Sequence, residues 1–339
     1  MTEASDRPIF VVGCLRSGTT LLQLMLSSHP RIAIPPETRF LLRAYARRLE
    51  FGDLEQPANR RVLGEFICAR RGHRFRDLGL KRRRTVEEIV AGPPTLGSAF
   101  GIVYQAYAAR FGKPRWGDKR PAYNRYLDIL LRLFPDAQLV HLVRDPRDCV
   151  ASLKRVPWWR RGPYQAVVAW AGAIDNVRAT AERHPDAVVE LQYERLVADP
   201  ETELRRLCTA LGEDYDPAMA TPESVAPLHV PERALKEWHA NTRRRPSTAS
   251  VGRWREELEP WEVGLCETVL GARMDRFAYE RTGRRVDPFH RAAYAAVGTR
   301  IALTDRVWAV REQARRRREP NPVAARLTAG QLAVRSDAA

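Results

Sequence analysis

The chain has 339 residues, enough for one large domain with insertions or for a domain with an appendage. Its formal charge of +16 invites a nucleic-acid or anionic-lipid partner, but 52 arginines against five lysines weaken that reading, because coding bias alone produces such a balance. No apolar run is long enough to span a bilayer, charged residues surround the early apolar run as they do not in a signal peptide, and the five cysteines show neither metal-ligand spacing nor a complete disulfide framework, so a reducing cytoplasm is the expected setting.

Residues 8–13 read as a buried parallel strand, β-branched and aromatic from Ile9 to Val12. Gly13 and Gly18 bound a tight turn, and an apolar-rich helix then runs until His29-Pro30 stops it. Strand, loop and helix N-terminus aim backbone N–H groups and the positive end of a helix dipole at one point, which makes a site for an anion. The spacing from Gly13 to Gly18 fits the first part of the phosphate-loop pattern G-x-x-x-x-G-K-[ST], but Thr19 stands where that pattern has its lysine. The nearest cation is Arg16, inside the loop, so the ligand should carry a shorter anionic tail than a nucleoside triphosphate. An ordinary βα turn of small residues would look the same.

A short β-like piece, Arg31 to Ile34, leads into Pro35-Pro36-Glu37-Thr38-Arg39, and residues 41–111 read as a helical cap insertion. A strand at 114–117 runs into Trp116-Gly117-Asp118-Lys119-Arg120-Pro121, where one of the few lysines suggests a role for a compact ammonium; a surface lysine paired with Asp118 is the other reading. The strand at 137–143 ends in Arg144-Asp145-Pro146-Arg147. There Asp145 suits a helix N-cap, Pro146 the first helical position, and Ser152 falls on roughly the same face as the cap. Arg144 and Ser152 could clamp a second phosphate, or Arg144 could pair with Asp145 or Asp148. Trp158 and Trp159 are expected to pack, and His29 and His141 to be structural.

A fourth strand at 187–191 precedes Tyr193, and a basic loop from Arg243 to Trp254 follows. From Arg284 onward, including Ala295 to Arg318, the chain reads helical and should pack as an arm or make a homodimer. The expected class is α/β, a P-loop-type, mainly parallel sheet flanked by helices, with helical insertions and a helical C-terminal extension. The expected division is 1–280 for the main domain and 281–339 for the extension.

Cys14-Leu15-Arg16-Ser17-Gly18-Thr19-Thr20 resembles the 5′-phosphosulfate loop of sulfotransferases, and Val143-Arg144-Asp145-Pro146-Arg147 with Ser152 resembles their 3′-phosphate motif. The run from Arg16 through His29-Pro30 to Glu37-Thr38-Arg39 is most similar to the tyrosylprotein sulfotransferase branch and its bacterial relatives, and the likeness covers roughly residues 8–280. It implies 3′-phosphoadenosine 5′-phosphosulfate (PAPS) as co-substrate, no metal, and in-line sulfuryl transfer to a hydroxyl of a small molecule, lipid, sugar or peptide, with no nucleic-acid partner and no transmembrane segment.

The same resemblance makes Arg16, Lys119 and Glu37 the catalytic residues, with Lys119 near the bridging oxygen and Glu37 as general base. Glu37 also reads as an acidic residue in the first turn of a helix from Thr38, a lesser reading that is compatible with the first. Arg16, Ser17, Gly18, Thr19 and Thr20 would hold the 5′ end of the nucleotide, and Arg144 and Ser152 its 3′-phosphate. Tyr193, one of Arg244 and Arg245, and a hydroxyl from Ser247 or Ser250 would complete the nucleotide site, although Tyr193 also reads as a core tyrosine. Two other functions fit the residues less well: a P-loop kinase using Mg-ATP, and a non-catalytic basic protein that binds nucleotide or nucleic acid.

Overall fold

The computed structural model describes residues 5–69, 72–229 and 245–326. Its strands β1 (Ile9–Gly13), β2 (Ile32–Ala33), β3 (Arg115–Lys119), β4 (Gln138–Val143) and β5 (Val188–Gln192) form one parallel sheet in the order β2-β3-β1-β4-β5. β1 is central and buried along its whole length, which is why Ile9 to Val12 is uniformly apolar rather than alternating. The four longer strands lie within two residues of the runs read from sequence, and β2 falls inside the β-like piece at 31–34.

Helix α1 (Thr19–Ser28) follows β1. Between β2 and β3 come α2 (Phe40–Ala46), α3 (Pro57–Ile67), α4 (Arg82–Ala91) and α5 (Leu96–Ala109), the expected helical insertion. The insertion shares its apolar core with the sheet. Phe10 and Val12 of β1 belong to one buried cluster with Phe40, Phe100 and Tyr104, and the Tyr104 ring stacks on Trp116 of β3 at 5.3 Å. The cap is therefore seated on the sheet through packed side chains. Helices α6 (Leu127–Leu133), α7 (Pro146–Lys154), α8 (Pro163–Arg183), α9 (Tyr193–Ala198) and α10 (Pro200–Leu211) complete the layers around β4 and β5. Asp145 caps α7 by accepting from Arg147 N at 2.9 Å, and Pro146 takes the first helical position.

His29 closes α1 with its Nε2 at 2.8 Å from Asp214 O, and His141 is buried in β4 against Glu190 at 3.1 Å, so both are structural. Trp159 packs as expected, whereas Trp158 is 44% exposed, because its side chain lies outside the cluster that takes up its neighbour.

Beyond α10, a helix Pro260–Arg276 packs against α7 and α8, and a long helix Pro288–Arg316 lies along α8. The chain after that helix is laid back on the cap. Glu319 pairs with Arg48 and Arg132, Gly97 N donates to Val323 O at 2.8 Å, and Ala325 N donates to Leu133 O at 2.7 Å.

At the amino edge of the sheet one buried arginine holds four segments together. Arg115 is fully buried; its Nε donates to Arg7 O at 2.9 Å and its Nη1 to Leu211 O at 2.9 Å and to Glu213 at 3.0 Å, while Nη2 reaches Gln138. Glu213→Ala would leave this guanidinium buried and uncompensated, and urea unfolding should show a loss of about 3–5 kcal/mol. A loss below about 1 kcal/mol would show that Arg115 does not depend on that carboxylate.

Candidate active site

The loop after β1 crosses the carboxyl edge of the sheet, where open α/β folds place their ligands. A Cβ on Gly13 would lie 2.6 Å from Leu142 O, and Gly18 takes φ +97° with its Cα against the Tyr193 ring, so both positions require glycine. Arg16 adopts φ +69°, rare for a side chain of its size. Ser17 is buried and donates its hydroxyl to Cys14 O at 2.8 Å, bracing the loop from within. No side chain caps α1 at Gly18, which leaves its first-turn N–H groups to a ligand.

The two phosphate motifs meet through Arg16. Its Nε donates to Ser152 Oγ of α7 at 2.9 Å, and its carbonyl accepts from Arg144 Nη1 at 3.2 Å. Arg144 Nη2 donates to Ser250 O, its guanidinium lies 4.5 Å over the Tyr193 ring, and Tyr193 shares a 2.6 Å hydroxyl hydrogen bond with Ser250. Asp148 stands 3.7 Å from Arg144, so that pairing exists, but its carboxylate is mainly engaged by Gly252 N at 2.8 Å and Trp254 N at 3.0 Å. Asp145 pairs with Arg147 instead.

Burial and the charges of Arg144 and Arg155 push the Arg16 guanidinium below its usual value. Among the described residues Arg16 has no carboxylate partner. Burial also works against Arg144, yet Cys149, Tyr193, Asp148 and Glu194 hold it above the ordinary value, and its Nε is buried with no hydrogen-bond partner among the described residues. The cradle thus holds in Arg16 a positive charge that no described carboxylate pairs.

Lys119 ends β3 and is buried, with Nζ donating to Thr20 Oγ1 at 3.3 Å. It is not a surface lysine paired with Asp118. The Asp118 carboxylate accepts instead from the hydroxyls of Thr38 at 3.1 Å, Tyr104 at 2.8 Å and Tyr123, and from Lys119 N at 2.9 Å. Burial pushes the Lys119 ammonium below the usual lysine range; Glu37 and Asp118 oppose the shift, and Arg74 and Arg16 add to it. Glu37 is half-buried, 4.0 Å from Arg120 Nε, and it precedes α2, which starts only at Phe40. The reading of Glu37 as a first-turn helix residue therefore does not hold: the backbone at Arg39 is outside the helical region and its N–H donates to His73 O at 3.2 Å.

Thr19 is buried as the first residue of α1, and Thr20 meets Lys119. Arg244 lies outside the described residues. Arg245 is 82% exposed and turned to Glu223 at 3.5 Å, and Ser247 is exposed, so neither joins the cradle; the hydroxyl that does is that of Ser250. Sequence reasoning also passed over Asp118 as a hub, Asn124, whose amide holds Gly13 O at 3.0 Å, and the arginines Arg39 and Arg74 near Glu37. Arg74 has φ +59°, and nothing in its sequence neighbourhood signals that turn.

Comparison with known proteins agrees with this geometry. A family model described as the sulfotransferase family matches residues 8–217. Nodulation protein NoeE of Sinorhizobium fredii is 31% identical over 305 residues, an alignment that takes in 80% of this chain and 65% of that protein, so the chain spans just under two thirds of the nodulation protein's length. A putative protein-tyrosine sulfotransferase of Caenorhabditis briggsae is 24% identical over 226 residues, 65% of this chain and 70% of that protein. The sulfotransferase domain of the Synechococcus PCC 7002 olefin synthase superimposes with a TM-score of 0.55 at 24% identity, over 83% of this chain and 98% of that one, which establishes the shared fold. The phosphate loop and the Arg144 motif meet on one sheet edge, and the family match covers more than half of the sequence, so the chain belongs to the sulfotransferase family.

Proposed function

We propose that the chain moves the sulfuryl group of PAPS to the hydroxyl of an acceptor. The observation that carries this reading is the bond from Arg16 to Ser152, made beside the bond from Arg144 to Arg16 O, because it joins a 5′-phosphate loop to a second anion site. A donor with anions at both its 5′ and 3′ positions matches that pair. The fit is supported by two features of the described residues: the buried Nε of Arg144 has no hydrogen-bond partner among them, and Arg16 has no carboxylate partner among them.

In this reading Arg16, Thr19, Thr20 and the N–H groups from Gly18 to Thr20 hold the 5′ end, and Arg144 and Ser152 hold the 3′-phosphate. The Tyr193 ring lies under the Arg144 guanidinium and supports it. When bound, the donor supplies a sulfuryl group and a phosphate on which charge builds as the S–O bond breaks. Arg16 and the Lys119 ammonium neutralise that charge from a buried position, where electrostatic stabilisation is strongest, and the reading asks for no metal. Glu37 accepts the proton of the acceptor hydroxyl.

The cap side bears on the acceptor. Arg39 is depressed by burial and by the charges of Arg74, Arg120 and Arg43, with Glu37 the one carboxylate that opposes them. Such a cluster favours an acceptor that carries an anionic group near its hydroxyl, whether on a lipid, sugar, phenol or peptide. The five cysteines are free and buried, in keeping with a reducing, cytoplasmic setting.

A thermal-shift series tests the donor. Adenosine 3′,5′-bisphosphate should raise Tm more than 5′-AMP or Mg-ATP at equal concentration; a larger shift with Mg-ATP would make the chain a kinase, and no advantage over AMP would remove the second phosphate site. Glu37→Gln should bind the bisphosphate as the parent does while lowering turnover about a hundredfold or more, the usual share of a general base. Turnover close to the parent's would take Glu37 out of that role.

A further inference from the structure

The helix Pro288–Arg316 has two faces, and the protein uses only one. On the inner face Trp308 meets Tyr126 with ring centroids 5.4 Å apart, Glu312 is buried and accepts from Tyr45 at 2.7 Å and Arg48 at 2.9 Å, and Asp305 pairs with Arg125. The helix's two acidic side chains are thus both taken up by the body of the protein.

The outer face is apolar. Leu303, Val307 and Val310 stand at i, i+4 and i+7 and are 61%, 50% and 63% exposed, and Phe289, 73% exposed, lies on the same line toward the N-terminal end. At 100° per residue the four fall within an arc of about 60°. Arg300 and Arg311 border the strip on one side and Arg306 and Arg317 on the other, all exposed and, among the described residues, without an ion pair. From Phe289 to Val310 the apolar line is about 32 Å long, with positive charge along both borders from Arg300 onward.

We propose that this outer face is a docking surface for an anionic lipid bilayer, with the helix lying in the plane of the interface. Charge decides among the occupants. A second copy of the helix would bring arginine borders against arginine borders, and a nucleic-acid backbone would leave the leucine, valine and phenylalanine strip facing water. Anionic headgroups neutralise the borders while the acyl region takes the strip, the arrangement of interfacial amphipathic helices. No described helix is long and apolar enough to cross a membrane, which fits attachment at the surface.

The test is sedimentation of the full chain with phosphatidylcholine vesicles made with and without phosphatidylglycerol. Binding should require phosphatidylglycerol, fall with added salt, and weaken at least about tenfold in the double variant Leu303→Glu, Val307→Glu, as expected when an apolar strip leaves the interface. The variant's circular dichroism and Tm should stay close to the parent's, because both side chains are at least half exposed. Equal binding to both kinds of vesicle, or unchanged binding by the variant, would overturn the proposal. So would a dimer that the variant abolishes in a protein that binds no vesicles, or duplex DNA binding that survives the variant where vesicle binding is absent.

Discussion

Two guanidinium groups held side by side set the terms for the rest of this structure. Arg16 and Arg144 come from opposite ends of the sequence motif map, one inside the first loop and one after β4, and Arg144 donates to the backbone of the other. Burial and the charge of Arg144 both work against the Arg16 guanidinium, because water no longer screens the two like charges. The surrounding residues offset part of this cost. Ser152 takes Arg16 Nε, the Tyr193 ring lies under Arg144, and Ser250 O and Asp148 sit at its edge. The remainder is left for an anion to settle, and a bisphosphorylated nucleotide with anions at two positions fits that need better than one phosphate would.

The same economy explains the glycines and the strained arginine. Gly18 admits the Tyr193 ring, so the ring that supports Arg144 also closes the loop against which a ligand would rest. Arg16 in the left-handed region costs of order 1–3 kcal/mol, strain that persists only because neighbours over-determine it. Asp118 does for the cap what Tyr193 does for the loop. Buried beneath Lys119, it collects hydroxyls from Thr38, Tyr104 and Tyr123, and so ties the segment carrying Glu37, the cap helix α5 and the end of β3 to one carboxylate. Burial pushes the Asp118 carboxyl above its usual value, while these hydroxyls and Lys119 N–H work to keep it ionised. Lys119 and the segment carrying Glu37 are thereby held in fixed relation through packed, satisfied polar contacts.

The central fold was legible because its strands are buried on both faces and read as short apolar runs: Ile9 to Val12 and Leu139 to Val143 allow few other assignments. The Asp145-Pro146 start of α7 was legible for a different reason, since capping is a local rule. The meeting of Arg16 with Ser152 was not. It depends on a left-handed arginine and on which way a serine faces across the sheet edge, and neither leaves a trace in periodicity. The basic loop before Trp254 shows the same limit: the resemblance left Ser247 and Ser250 open and offered Arg245, while the fold turns Arg245 to Glu223 and brings Ser250 inward. Glu37 was misplaced in its alternative reading because Pro35-Pro36 and the Arg39 to His73 bond delay α2 to Phe40.

The claim that most of this rests on is that Arg144 exists to hold a second phosphate. Titration calorimetry of adenosine 3′,5′-bisphosphate and 5′-AMP, on the parent chain and on Arg144→Gln, isolates it. The account predicts a clear affinity advantage for the bisphosphate in the parent and nearly equal affinities in the variant, with 5′-AMP bound alike by both. An advantage that survives in Arg144→Gln, or that is missing from the parent, would contradict it.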